Sequence, residues 1–578
     1  MPDSIDSSAR EIEGGHRLVA PLLLLSRPRS ETMNEKSHAP LRLLLVTDGG
    51  TIPNWLFRCI TAVQECGAAT VVLAPHAARG EARLLRRLLF SLYRSMDRHW
   101  FRRVPDAIAP VNLKAQLSEY RSVDLRNVLT GTPGAEQVDV VLDPFSLTSD
   151  ARFSDRSTYG VWSLAFGRRG DPRTEATAGF WEVIDGTSTE TRLCVRSRAF
   201  EAKRVLYCSV APTDRRSVSR GLNHVYWKIS AALARNIQRL WEDPDAFVKR
   251  LKTGAPLDET DGASAAPNNL EMLRAWTRLV RRYASDKWMS TLYRKQWVLA
   301  YQRGASDSPA RGTFQTLSPP IDRYWADPFP IRVGNDWYIF HEELPFATGK
   351  GRIVVTVVDG AGKAVGPIPV LEQDYHMSYP FVFQWDGEWF MIPQTASRRI
   401  ELYHCVRFPS QWNLERVLLR DVTASDPTLA CLHGRWWLFA NVPAYGTTWH
   451  HDELHLFHAD SPLGPWAPHR NNPIKSDVRS ARPAGRIFER DGQFYRPAQD
   501  CSQRYGYAVS INRILSLDAE TYQEVEVDRI VPNGSPNVIG VHTFNRADDM
   551  TVIDCLVRSN KISAFLRRRR DMVRSLHL

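Results

Sequence analysis

Val333-Gly334-Asn335-Asp336-Trp337-Tyr338-Ile339-Phe340 is a tight turn, an aromatic pair and a strand end, and its recurrence decides the fold. It returns as Asp386-Gly387-Glu388-Trp389-Phe390-Met391-Ile392, as His433-Gly434-Arg435-Trp436-Trp437-Leu438-Phe439 and as Asp491-Gly492-Gln493-Phe494-Tyr495-Arg496. Roughly ten residues before each copy stands a phrase built on a proline: Ala326-Asp327-Pro328-Phe329, Ser378-Tyr379-Pro380-Phe381, Ser425-Asp426-Pro427-Thr428 and Ala481-Arg482-Pro483-Ala484. A fifth unit, Gly540-Val541-His542-Thr543-Phe544, falls where the next copy is due and leads into Asp549-Met550-Thr551-Val552-Ile553. The period of about 50 to 60 residues is the length of a four-stranded blade, and it predicts a five-bladed β-propeller over residues 295–560.

Elementary chemistry accounts for the pattern. The innermost strand of each blade lines the central channel, so the proline-bearing phrases would point their polar residues at one axial pocket. Asp-Gly and Gly-Asn steps suit two-residue hairpins because glycine takes positive φ without steric penalty. The aromatic pairs supply wide faces for packing blade on blade. A β-sandwich with aromatic-rich strands is the alternative, but it requires no polar phrase at the same place in every unit.

The rest of the chain reads differently. At 578 residues it has length for two or three domains, and its formal net charge is +11. Basic residues cluster between Arg83 and Arg103, interleaved with Leu84, Leu85, Leu88, Leu89, Phe90 and Leu92, and again at Arg567-Arg568-Arg569-Arg570. The first cluster has helical spacing with an apolar and a basic face. It suits an anionic membrane surface or, more plainly, a solvated surface helix. No nucleic-acid-binding motif accompanies the charge, so nucleic acid is not expected as a partner. The eight cysteines are scattered without metal-ligand spacing, which argues for a reducing compartment and against a zinc site. The apolar run Leu18–Leu25 is interrupted by Pro21, too short to span a bilayer, and lacks a cleavage site of small residues. Residues 1–39 read as a disordered extension and 561–578 as a basic tail. The expected location is cytoplasmic, with peripheral attachment at the inner membrane surface as a variant; no cofactor or metal is expected.

Residues 40–250 read as an α/β domain. Leu41–Gly49 is a buried strand ending in a turn, Trp55–Cys66 has helical spacing, and Ala69–Ala74 is a second strand. Strand, helix and strand at these lengths make a βαβ unit and predict a parallel sheet, to which Val138–Asp143 adds another strand. Residues 251–294 form a linker rich in Gly, Ala, Pro, Asp and Ser followed by a bridging helix from Leu270. Trp297–Tyr301 would begin the propeller and close its ring against the last blade.

Two resemblances add expectations. Tyr159-Gly160-Val161-Trp162-Ser163-Leu164-Ala165-Phe166-Gly167, Gly179–Gly186, Arg204–Tyr207 and the helix near Asn223–Leu240 resemble the formyltransferase family, which uses a tetrahydrofolate formyl donor. The family's Asn and His positions correspond to Ser163 and Ala165, and its Asp position falls near Glu201. Alanine cannot exchange a proton, so the resemblance implies a formyltransferase-like domain that has lost formyl transfer. N-formyl transfer to an amino sugar is the remaining alternative.

The propeller half resembles the N-terminal domain of the glucosamine inositolphosphorylceramide transferase family. The matching stretches are Ala326–Pro330, Gly349-Lys350-Gly351-Arg352-Ile353, Ser378–Phe383, Ser425–Leu429, Leu463-Gly464-Pro465-Trp466, Ala481–Arg486 and Arg496–Ser502. More distantly it resembles five-bladed furanosidase-type glycoside hydrolases. That likeness implies Asp327 as base or nucleophile and Asp426 as an orienting acid, while the acid-catalyst position holds Arg482, which stays charged. Glu342, Glu343 or Asp500 would have to supply the acid from a neighbouring strand, and Glu343 is the expected member of the catalytic set. His376, Tyr379, Arg482, Arg486, Asp500 and His542 are expected to bind substrate through hydroxyls, ring faces and a guanidinium fork. The implied partner is a sugar or glycolipid and the implied chemistry glycosyl transfer or hydrolysis, with a non-catalytic glycan-binding or scaffold role as the alternative.

Overall fold

The computed structural model describes residues 39–47, 50–75, 88–113, 123, 138–147, 152–168, 171–173, 177–200, 202–254, 256–257, 266–304, 314–444, 451–532 and 537–561. They fall into two compact units divided at Leu279–Val280. The extension, the glycine-rich part of the linker, the tail, Glu201 and the basic residues Arg83, Arg86 and Arg87 lie outside the described residues.

The C-terminal unit is a five-bladed β-propeller. Blade one is Arg323–Val333, Asp336–Pro345, Arg352–Val358 and Ala364–Leu371; blade two is Met377–Trp385, Glu388–Thr395, Arg399–Arg407 and Gln411–Arg420. Blade three is Ser425–Leu432, Arg435–Asn441, Leu454–Ala459 and Ala467–Pro468, and blade four is Phe488–Arg490, Gln493–Asp500, Ala508–Leu517 and Tyr522–Ile530. Blade five joins the two ends of the propeller sequence. Its inner segments, Val538–Gly540 and Phe544–Ala547, pair with Met550–Asn560, and that strand pairs along its whole length with Tyr293–Arg303. Closure in this way ties both ends of the propeller sequence into one sheet, so that neither end is left as a free terminal blade and each blade keeps only its outer edge.

The repeated turn explains the repeated hairpin. Asp386-Gly387, His433-Gly434 and Asp491-Gly492 each connect the first two strands of a blade with positive φ at both residues (51° and 79°, 54° and 75°, 51° and 70°). That is the geometry of the I′ turn, whose twist matches the flanking strands. The following aromatics then pack between blades. Trp337 joins Leu299, Tyr301, Met550 and Val552 between blades one and five, and Trp437 joins Ile514 and Ala481 between blades three and four.

The N-terminal unit is built on a mixed sheet. Ala69–Pro75, Leu41–Thr47, Val140–Leu142 and Val161–Arg168 run parallel, as the βαβ reading requires. From Val161–Arg168 onward the sheet continues antiparallel through Thr189–Arg196, Lys203–Ala211 and Pro256–Leu257. The expectation of a parallel sheet is therefore corrected for this half. Thr189–Arg196 and Lys203–Ala211 are joined only by residues 197–202, too few for a crossover helix, and strands so joined pair antiparallel. The longer connections, through Phe180–Asp185 and through Val218–Glu242 and Pro244–Thr253, also return the chain antiparallel. The Val218–Glu242 helix buries most of its length against this sheet and against the Asn54–Glu65 helix, with Trp55 stacked on Tyr226 at 5.5 Å.

Candidate functional site at the propeller axis

The inner strands of blades one, two and three share one irregularity. Asp327, Tyr379 and Asp426, each immediately before a proline, hold left-handed φ values of 53°, 47° and 53°. Pairing with the second strand slips at the same points, between Ala326 and Phe329, Ser378 and Phe381, and Ser425 and Thr428. A bulge re-aims the side chain it carries. Repeated around the ring, it brings three polar side chains toward one axis. Left-handed backbone at a non-glycine residue is costly and persists where its surroundings over-determine it.

Asp327 ties three blades together. Its Oδ2 accepts the Tyr379 N–H from blade two at 3.2 Å, and its Oδ1 accepts the Thr543 hydroxyl from blade five at 2.9 Å. His542 Nε2 lies 3.3 Å from the same Oδ1, while the other ring nitrogen sits 2.6 Å from Asp554 Oδ2. Asp554, on the strand Met550–Asn560, accepts backbone N–H groups from His542, Thr543 and Asp327 at 3.0, 2.9 and 3.0 Å. The Trp297 ring covers the imidazole, with centroids 4.1 Å apart.

Electrostatics divides these groups. Burial raises Asp327 to about 6, and the nearby Asp426 and Asp554 add to this against the opposing pull of His542. Burial also lifts Asp554, but His542 outweighs it and holds that carboxyl below its ordinary value. Burial lowers His542, yet Asp554 and Asp327 carry it above the usual imidazole range. Glu342, beneath the Tyr324 hydroxyl at 3.0 Å, is raised well above the normal carboxylate range by burial and then by the charge on Asp327. His376 stands beside it, with Nε2 3.5 Å from Glu342 Oε1 and the other nitrogen accepting the Gly351 N–H at 3.0 Å. Gly351 makes this approach possible: a Cβ there would lie 2.6 Å from Glu342 Oε1 and 2.8 Å from the His376 ring. Burial lowers His376 to about 4, so it is neutral at physiological pH.

Across the axis Asp426 is held by its own cation. Arg482 donates to its two oxygens at 2.5 and 3.2 Å, and Gln499 donates to one of them at 2.7 Å. The Arg482 guanidinium also lies over the Tyr505 ring at 5.0 Å. The fully buried Tyr379 bridges the ring beneath. Its hydroxyl is 2.7 Å from the Thr428 hydroxyl in blade three and accepts the Gly485 N–H of blade four at 2.8 Å.

Asp327, His376, Tyr379, Asp426, Arg482 and His542 are thus brought together, whereas Glu343, Asp500 and Arg486 are directed elsewhere. Adjacent residues of a strand face opposite ways, and Glu342 rather than Glu343 faces the axis. Glu343 receives Arg352 at 2.7 Å, Arg323 at 3.2 Å and the Trp325 indole at 3.1 Å, and these partners outweigh burial and keep it below its ordinary pKa. Asp500 pairs with Arg529 inside blade four. Arg486 donates to the Val382 carbonyl and lies over the Phe381 and Phe329 rings at 5.0 and 5.6 Å.

Glu342, named with Glu343 and Asp500 as an alternative acid, takes the place expected of Glu343, and Thr543 and Asp554 complete the cluster beyond the expected set. Asp554 carries a readable signal, being a lone acid in the apolar run Met550–Leu556. Asp327, His542 and Asp554 also offer ligand atoms within 4.8 Å of one another, so this trio could hold a cation. Each already contacts another member of the cluster, so a cation would have to displace the existing ion pairs.

Residues 316–547 match the family model described as glucosamine inositolphosphorylceramide transferase 1, N-terminal. The chain is 37% identical over 207 residues to glucosamine inositolphosphorylceramide transferase 1 of Oryza sativa subsp. japonica, covering 35% of this chain and 28% of that protein. It is 36% identical over 208 residues to the Arabidopsis thaliana protein of the same name, covering 35% and 27%. The chain therefore spans less than a third of the length of the curated relatives it matches. Among solved structures, Zg3597, a family 117 glycoside hydrolase from Zobellia galactanivorans, aligns at 13% identity with a TM-score of 0.30, covering 45% of this chain and 90% of that one. The RS223 β-xylosidase aligns at 12% identity with a TM-score of 0.29, covering 39% and 82%.

Proposed function

We propose that the propeller handles a sugar-bearing ligand at its axis, with Glu342 as proton donor and Asp327 as proton acceptor. The carrying observation is the company each acid keeps. Asp327, Glu342, Asp426 and Asp554 are buried around one arginine and two imidazoles, of which His376 is neutral, and Arg482 is already committed to Asp426. Such a cluster holds protons at pH values where an isolated carboxylate is ionised, and a split between a protonated acid and a titrating one is what acid–base chemistry at a glycosidic bond needs. Asp426, fixed by Arg482 and Gln499, orients rather than exchanges protons. The match to the N-terminal region of a transferase named for glucosamine and inositolphosphorylceramide supports a glycolipid head group or its sugar as the ligand. The excess of acid also suits a protonated amino sugar, whose ammonium would replace the proton carried by Glu342.

The test is turnover and calorimetric binding on furanosides, nucleotide sugars and amino-sugar head groups. Glu342→Gln and Asp327→Asn are each expected to lower turnover by about 10²–10⁴-fold while ligand still binds. Sugar binding without turnover in the unaltered protein would support a binding module instead. One observation favours that second reading: both oxygens of Asp327 and of Asp426 already accept hydrogen bonds from the protein. Residues 40–250 we assign as formyltransferase-like without formyl transfer. Ser163 and Ala165 lie on the central strand Val161–Arg168, where Ala165 offers no proton-exchanging group. Folate-dependent formylation of an amino sugar by the purified chain would overturn that assignment.

A further inference from the structure

We propose that the Leu88–Trp100 helix, together with the start of the Asn269–Leu292 helix, is a docking face for an anionic lipid bilayer. Along the first helix and just beyond it, Leu88, Leu92, Met96, Trp100 and Val104 are 56, 49, 36, 66 and 88% exposed. Within the helix a spacing of four keeps successive side chains on one side while drifting slowly round the axis, so they form a broad apolar arc rather than scattered contacts. Soluble surfaces seldom expose large apolar side chains contiguously without a partner for them.

The exposure does not come from a loosely attached helix. Its other side is anchored: Phe90 and Tyr93 meet Phe180 edge-on at 5.2 and 5.7 Å, and buried Asp97 accepts the Ser219 N–H at 2.7 Å. Leu89 N–H donates to Asn269 Oδ1 at 3.2 Å, which starts the second helix alongside the first. That helix adds Leu270 and Leu273, 57 and 50% exposed.

Charge complementarity selects the occupant. Exposed Arg98 and Arg102 stand nearest the arc, with Arg94 and Arg103 half-buried in the same stretch; against Asp97 and Asp106 the four leave two positive charges in excess with histidine neutral. Asp106 lies 3.9 Å from Arg98 and 3.2 Å from Arg102, where their side chains remain 44 and 65% exposed. Leucine, methionine and tryptophan beside arginine on one short helix match the acyl boundary and the phosphate layer of a bilayer at the same time. Thirteen residues reach only about 20 Å, so this helix would lie in the interface rather than cross it. No helix among the described residues is long and apolar enough to span a membrane. The inference is independent of the chemistry at the propeller axis.

The test is cosedimentation of the full chain with vesicles of phosphatidylcholine alone or with phosphatidylserine added. Binding is expected to be at least about tenfold stronger on the anionic vesicles and to weaken as salt is raised. The Leu92→Glu/Trp100→Glu double variant is expected to lose at least about tenfold in binding, with unchanged far-ultraviolet circular dichroism because both positions face solvent. Leu92→Ser alone is expected to give a smaller loss in the same direction. Failure of the unaltered protein to bind either vesicle, or undiminished binding by a folded double variant, would overturn the proposal. So would a change of oligomeric state in the variants with vesicle binding untouched, which would identify a second copy as the occupant.

Discussion

The propeller contains two buried charge clusters of opposite balance. In blade four, Arg496 is fully buried and donates to Glu524 at 2.7 and 2.9 Å and to the Ser480 carbonyl at 2.6 Å, while Lys475 reaches the same Glu524 at 2.5 Å. Two cations flank one carboxylate. Burial pushes Glu524 up, but its partners bring it down to about 2. At the axis the acids outnumber the bases, and Asp327 and Glu342 move the other way. Burial is equal in the two places. The difference shows that the neighbours of a buried acid, not its depth, decide whether it pins the fold or holds a proton.

The largest expected effect lies in the balanced cluster. Arg496→Met leaves Glu524 buried with Lys475 alone, and breaking such a pair is expected to cost about 3–5 kcal/mol, read as a lower urea midpoint for the propeller. A far smaller loss would mean that Lys475 suffices and that the comparison overstates the balance in blade four.

Stability against pH should separate the clusters by sign. Glu524 titrates near 4.5 when unfolded and about 2 when folded, so its contribution is present above 4.5 and is lost as pH falls toward 2. Asp327 titrates near 3.8 when unfolded and about 6 when folded, so the folded chain holds its proton more tightly. Its contribution is greatest below 3.8 and declines as pH rises through 6. Each change amounts to about 3 kcal/mol. Comparing unfolding free energies of Asp327→Asn with the unaltered chain between pH 4 and 7 should show the second decline removed; an unchanged profile would place the titration elsewhere.

The sharpest contrast in the smallest space is between two neighbours. Glu343→Gln weakens the hold on Arg323 and Arg352 and is expected to cost about 1.5–3 kcal/mol at neutral pH. Glu342→Gln replaces a carboxyl that burial raises well above the ordinary range by a neutral group of similar shape, and on the proposed proton-bearing role it is expected to change stability by less than about 0.5 kcal/mol. Equal losses in thermal unfolding would erase the distinction between the two faces of that strand.

Much of this architecture was readable in the chain itself. The five blades follow from turn chemistry and period, because the Asp-Gly and His-Gly steps at 386–387, 433–434 and 491–492 recur at blade spacing between aromatic strands, whereas Asp185-Gly186, outside that period, ends a helix. The proline-bearing phrases likewise marked Asp327, Tyr379, Asp426 and Arg482 as sharing one axis. Side-chain parity was not readable. The slip between Ala326 and Phe329 resets which residue of the facing strand looks inward, so Glu342 and Glu343 could not be told apart by sequence. Nor does sequence reveal consumption by a partner: Arg482 is taken by Asp426, Asp500 by Arg529 and Arg486 by Val382, each across tens of residues. In the N-terminal unit the βαβ pattern located the parallel half. The antiparallel half was not readable, because a helix also stands between Val161–Arg168 and Thr189–Arg196 and the strands themselves carry no directional signal.

Infrared spectroscopy of the protonated-carboxyl stretch at pH 7 addresses most directly whether the axial acids retain a proton. The unaltered protein is expected to show a carboxylic-acid band that disappears in Glu342→Gln and persists in Glu343→Gln. A spectrum without that band, or one insensitive to Glu342→Gln, would contradict the assignment of Glu342 as the proton-bearing acid.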